Sequence, residues 1–106
     1  MLDFTKVKKN YLNVKLTDGT TILIGMPTKR QFDDFSRLNE RLTTAQMNDL
    51  SEIEEIYNLT ASIMSRNKAG KEISPEYIAD IFDIEDMVTF YNAYVEFVGG
   101  NTASPN

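Results

Sequence analysis

The stretch YLNVKLTDGTTILIGM, Tyr11 to Met26, decides the fold. Its apolar residues recur at every second position, Leu12, Val14 and Leu16 and then Ile22, Ile24 and Met26, which is the period of a strand with one covered face. Thr17 to Thr20 separates the two runs. A two-residue Asp18-Gly19 loop would pair Val14 with Leu23 and turn the two apolar sets to opposite faces. A three-residue loop, Thr17 to Gly19 with Gly19 left-handed at a bulge, pairs Leu16 with Thr20, Val14 with Ile22 and Leu12 with Ile24. Both sets then share a face, so the three-residue loop is expected. An isolated hairpin is marginal in water, and this one must cover helices or meet further strands, including those of another subunit.

Outward from residues 11–26 the period changes to that of helices. Pro27 ends the second strand, Thr28 is an N-cap with Gln31 three residues on, and Pro27 is placed to staple onto Phe32. Phe32, Phe35 and Leu38 mark one stripe of a helix over about 29–42. A longer helix, about 45–67, carries Met47, Leu50, Ile53, Ile56, Tyr57, Ile63 and Met64, with Thr43-Thr44, Asn48 and Ser51-x-x-Glu54 as rival starts and Asn67 to Gly70 as the stop. Ser74-Pro75 opens a short helix over 75–82. Asp83 caps the last helix, 84–98, whose wide apolar face runs through Ile84, Met87, Val88, Tyr91, Tyr94, Val95 and Val98 to Gly99-Gly100. The expected fold is α+β and mostly helical: an N-terminal antiparallel hairpin and three to four helices in one domain over 1–100, then a flexible tail over 101–106.

At 106 residues the chain has room for one core. It has no cysteine and no histidine, which removes thiolate chemistry, the usual general base and the usual zinc ligands. No continuous apolar block is long enough for a signal peptide or a membrane span, so a cytoplasmic protein is expected. A net charge of -5 argues against nucleic acid as a partner. The charge is also unevenly spread. Residues 1–42 hold eight basic side chains against five acidic ones, and residues 43–106 hold three against eleven. Two solvated faces account for this, and so does head-to-tail self-association in which Lys6, Lys8 and Lys9 of one copy meet Asp83, Glu85 and Asp86 of another.

Candidate sites are few. The acids Asp80, Asp83, Glu85 and Asp86 offer oxygen ligands for a hard cation, but they lack the spacing of a calcium loop and sit where helix caps and dipoles favour acids. No serine, lysine or carboxylate stands in a catalytic constellation, and neither an enzyme, a cofactor nor a bound metal is expected. Tyr57, Tyr91, Tyr94 and Phe97, with Met64 and Met87, supply rigid and adaptable anchors for a helical protein partner; each is also a natural core residue. The number of amphipathic segments exceeds what one small core absorbs, and that surplus points to association.

The segment Met26-Pro-Thr-Lys-Arg-Gln-Phe32, the long middle helix and Ile73-Ser-Pro-Glu-Tyr-Ile-Ala-Asp-Ile-Phe-Asp-Ile-Glu-Asp-Met87 give the chain a layout over residues 10–98 that resembles the small tail assembly chaperones of long-tailed phages infecting Gram-positive bacteria. That family is non-enzymatic. The resemblance implies a protein that binds the helical, aggregation-prone tape measure protein in the host cytoplasm while the tail tube polymerises, is absent from the finished virion, and self-associates. The competing expectation is a small adaptor or regulatory subunit engaging one folded partner. If the basic residues drive assembly, Lys8→Glu with Lys9→Glu weakens self-association in sedimentation experiments, and an unchanged oligomer distribution counts against head-to-tail electrostatics.

Overall fold

The hairpin forms in the register expected from its sequence. In the computed structural model, strand β1 (Leu12–Lys15) pairs antiparallel with β2 (Thr21–Ile24), with Leu12 opposite Ile24 and Val14 opposite Ile22. The Leu16 N–H donates to the Thr20 carbonyl at 2.7 Å, and the Gly19 N–H donates to the Leu16 carbonyl at 2.9 Å. Gly19 has φ +92°, the left-handed conformation the bulged turn requires. Leu16, Ile22 and Ile24 are buried on the shared face. Residues 1–44 and 50–102 are described, with side chains except at 39, 41–44, 101 and 102.

Four helices follow: α1 (Lys29–Thr44), α2 (Leu50–Met64), α3 (Pro75–Ile81) and α4 (Ile84–Thr102). The fold is α+β and mostly helical. Thr28 and Gln31 close a capping box at the start of α1: the Gln31 N–H donates to Thr28 Oγ1 at 3.2 Å and the Thr28 N–H to Gln31 Oε1 at 3.3 Å. Gln31 also donates through Nε2 to Ser62 Oγ at 2.9 Å, which docks α1 on α2. Ser74 caps α3, accepting from the Tyr77 N–H at 3.1 Å, with Pro75 in the first turn.

Several boundaries differ from expectation, each for a local reason. Helix α2 ends at Met64, three residues before the expected 67, because the chain there turns to pair with β2. The Gly25 N–H donates to the Arg66 carbonyl at 2.7 Å and the Lys68 N–H to the Leu23 carbonyl at 2.9 Å. Asn67 organises the turn: its Nδ2 donates to the Met64 and Lys71 carbonyls and its Oδ1 accepts from the Lys71 N–H at 2.9 Å. Helix α4 does not stop at Gly99-Gly100 but continues to Thr102, since neither glycine adopts the positive φ of a C-cap. Phe32, expected in the covered stripe of α1, is 44% exposed, while Phe35 and Leu38 are buried. The expected start of the second helix near 45, with Met47 and Asn48, lies outside the described residues, as does the tail from 103.

The core lies where the hairpin face, α1, α2, α3 and one side of α4 converge. Its centre is aromatic. The Phe35 ring lies 5.0 Å from that of Tyr91 and 5.5 Å from that of Tyr94, and Phe90 stacks on Tyr94 at 5.7 Å. The two tyrosine hydroxyls differ. Tyr91 shares a hydrogen bond with Thr60 at 3.1 Å and reaches the Ile56 carbonyl at 3.3 Å; burial pushes its phenol up to about 12, opposed by the Thr60 contact. The Tyr94 hydroxyl is buried with no hydrogen-bond partner among the described residues.

Tyr94→Phe is therefore expected to leave stability unchanged or raise it slightly, whereas Tyr91→Phe costs on the order of 1 kcal/mol. An unfolded tyrosine ionises near pH 10 while folded Tyr91 holds its proton to about 12. The neutral phenol's contribution is fully present below pH 10 and fades between those values. Urea melts at neutral pH and near pH 11 should show Tyr91→Phe losing less stability over that interval than the parent.

Candidate functional site

Helix α4 carries the candidate interaction surface. It begins with a reciprocal cap: the Asp86 N–H donates to Asp83 Oδ1 at 2.8 Å and the Asp83 N–H to Asp86 Oδ2 at 3.0 Å. Its start is fastened to α2 by the Tyr57 hydroxyl, which donates to the Phe82 carbonyl at 2.8 Å; burial, with the charges of Asp83 and Asp86 beside it, raises the Tyr57 phenol above its usual value. The hairpin turn is fixed to α3, just ahead of the start of α4. Thr17 Oγ1 donates to the Ile81 carbonyl at 2.8 Å, and the Tyr77 hydroxyl donates to the Asp18 carboxylate, which that bond holds below its ordinary range.

These attachments fix where α4 begins, and its rotation shows in which residues are buried. At about 100° per residue, Met87, Phe90, Tyr91, Tyr94 and Val98 fall in one arc and all are buried. Ile84, Val88 and Val95 fall within an adjacent arc of about 40° and point to solvent, 41%, 53% and 43% exposed. Gly99 extends this stripe by one turn and no charged residue interrupts it. Glu85 and Glu96, both exposed, align along its outer flank. Helix α4 contains no lysine or arginine.

Most of the aromatic and sulfur-bearing anchors expected at a partner surface are elsewhere. Met64, Met87, Tyr91 and Tyr94 are 0%, 2%, 7% and 1% exposed, so these four are core residues rather than docking groups. The reason is geometric: they occupy the arc of α4, or the facing side of α2, that the α1–α2 pair covers. Tyr57 and Phe97 are half-buried against the core. Burial also raises the Tyr94 phenol, with Arg66 acting in the opposite direction. The outward residues Ile84, Val88 and Val95 were grouped in the sequence with the buried ones, and the signal that separates them is the width of the apolar arc, broader than one neighbouring surface covers.

Of the residues expected in self-association, Lys6, Lys8 and Lys9 are exposed on an arm of residues 1–10. The arm holds a 3₁₀ turn over Phe4–Lys6, capped by Asp3, which accepts from the Thr5 N–H at 3.0 Å. Asp83 and Glu85 are exposed and Asp86 is half-buried at the start of α4, beside the closed end of the hairpin. The arm enters β1 at the open end. The two charge clusters thus lie on separate elements, the arm and the start of α4. None of the arm's residues is buried, and Leu2 and Phe4 are each 72% exposed.

The remaining concavities offer little chemistry. A groove of about 630 Å³ between α1 and α2 is lined by Asp34, Arg37, Glu40, Glu55 and Ser62, among others. Asp34 is already paired with Arg37 at 2.5 Å, and Ser62 accepts from Gln31. Among the described residues no cluster of acidic side chains is arranged to hold a metal ion, and no helix is long and apolar enough to cross a membrane. No family model matches the chain, and no curated protein or solved structure does either.

The burial pattern separates adjacent positions on α4. Met87→Ala should cost about 2–4 kcal/mol in chemical denaturation, as for other buried large-to-small changes, whereas Val88→Ala should cost within about 0.5 kcal/mol.

Proposed function

We propose that this chain is a non-enzymatic tail assembly chaperone that binds the helical tape measure protein of a long-tailed phage and keeps it soluble during tail assembly. The observation that carries the reading is the apolar row Ile84, Val88 and Val95, held outward on a helix whose other side packs into the core. A row at this spacing is the half-interface of a helix-on-helix contact, read by a client as anchors one turn or two turns apart. The hairpin, the long middle helix and the short helix before the last one support the same reading through the resemblance noted in the sequence.

A helical client of this kind exposes repeated apolar positions along a length far greater than one α4. Flat apolar side chains without a deep pocket suit such a client, because they impose shape along a helix face and little residue-by-residue specificity. The acidic flank adds a preference for segments bearing lysine or arginine beside the apolar positions.

Co-expression with the tape measure protein of the same phage should increase the client's soluble fraction several-fold, and Val88→Asp with Val95→Asp should abolish that increase while the chain itself still melts cooperatively. A client that precipitates equally with and without the chain would overturn the proposal. A stoichiometric complex with one folded partner and no effect on the tape measure protein would instead establish an adaptor.

A further inference from the structure

We propose that the arm of residues 1–10 docks on the exposed α4 row of a second copy of this chain, covering it until a client displaces the arm. The docking itself is independent of the client's identity; only the displacement rests on the function proposed above. Two apolar surfaces lie uncovered in one copy, and they are different surfaces. Met1, Leu2, Phe4 and Val7 on the arm are all exposed, and so are Ile84, Val88 and Val95 on α4. Within one chain neither covers the other.

Charge selects the pairing. The arm carries Lys6, Lys8 and Lys9 and a single acid, Asp3, whose carboxylate is engaged by Thr5. Helix α4 carries Glu85, Asp86 and Glu96 and no basic residue. Two α4 rows facing each other would bring Glu85 and Glu96 against their own copies, and two arms would bring lysine against lysine. Arm against α4 is the combination in which apolar side chains meet and opposite charges flank them. Such a contact is heterologous: each copy donates an arm and receives one, so the association extends or closes according to geometry.

The arm also has the character of a docking segment. Its 3₁₀ turn raises Phe4 next to Lys6, and the residues after it run without regular secondary structure into β1. Ten residues span at most about 33–36 Å when extended, enough to lie along several turns of a neighbouring helix. A contact of this size falls at the weak end of specific interfaces, so association should depend on concentration and weaken with salt.

Sedimentation of the full chain without client provides the test. The parent should form concentration-dependent species larger than its 12.1 kDa monomer, and raised salt should shift them toward monomer. Leu2→Asp with Phe4→Asp, defective in the arm, and Val88→Asp, defective in the row, should each associate at least about tenfold more weakly. Mixing these two variants should restore a complex, because one retains the row and the other the arm. Circular dichroism melts check that both variants remain folded, and Val88→Ser replaces Val88→Asp should the latter unfold. A parent that stays monomeric at millimolar concentration overturns the proposal, as does an arm variant that assembles like the parent or a mixture that stays dissociated. None of these outcomes bears on client solubilisation, which is measured separately.

Discussion

Phe35 of α1 packs against both Tyr91 and Tyr94 of α4, and the Tyr91 hydroxyl reaches across to Thr60 and the Ile56 carbonyl of α2. These contacts hold α4 from one side only. The Thr60 hydroxyl, which also donates to the Ile56 carbonyl at 2.8 Å, leaves little rotational freedom for the tyrosine it meets. Aromatic rings in close contact tolerate small shifts poorly, because a displacement opens a void or drives a clash. The rotation of α4 is therefore fixed by its buried arc, and the residues on the adjacent arc face outward as a consequence. Uncovered apolar surface on this helix follows from the packing that stabilises the fold.

A second constraint acts at the ends. The hairpin turn is tied to α3 through Thr17 and Asp18, and the open end of the hairpin is tied to the turn after α2 through Gly25 and Lys68. A side chain at Gly25 would place its Cβ 3.3 Å from the Arg66 carbonyl oxygen, so any larger residue there pushes β2 and that turn slightly apart. The hairpin is thus held at both ends, by α3 at the turn and by the turn after α2 at the open end, where the basic arm leads into β1.

The hairpin register was legible because, of a two-residue and a three-residue loop, only the latter puts Leu12, Val14, Ile22 and Ile24 on a common face. The caps at Thr28, Ser74 and Asp83 were legible because each is a local contact between residues three apart. What local pattern does not encode is which side of a wide apolar helix face finds a neighbour. Tyr91 and Val88 look alike as members of one face, and only the position of Phe35, more than 50 residues earlier in the chain, separates them. For the same reason Tyr94 and Met87 read as anchors and are core. The end of α2 was misplaced because its last turn gives way to a bridge with β2, a pairing between residues 24 and 67 that no short window contains.

The magnitude of the α4 row bears on how such a surface works. Full burial of a valine or isoleucine contributes about 1.5–3 kcal/mol, and each of these side chains is already roughly half covered, so the three together add about 3 kcal/mol when a partner arrives. Association costs at least about 4 kcal/mol in lost translational and rotational freedom. One row on one copy is therefore too weak to retain a client. A long helix that offers many apolar positions, however, presents each of them to the row at high effective concentration, so it rebinds before it escapes. The arm proposed to cover the row and such a helix compete for the same three side chains, and a row covered by an arm is closed to the helix until the arm leaves. The arm must also release the row it covers, and a contact held by a few apolar side chains and exposed charges is weak enough to do so.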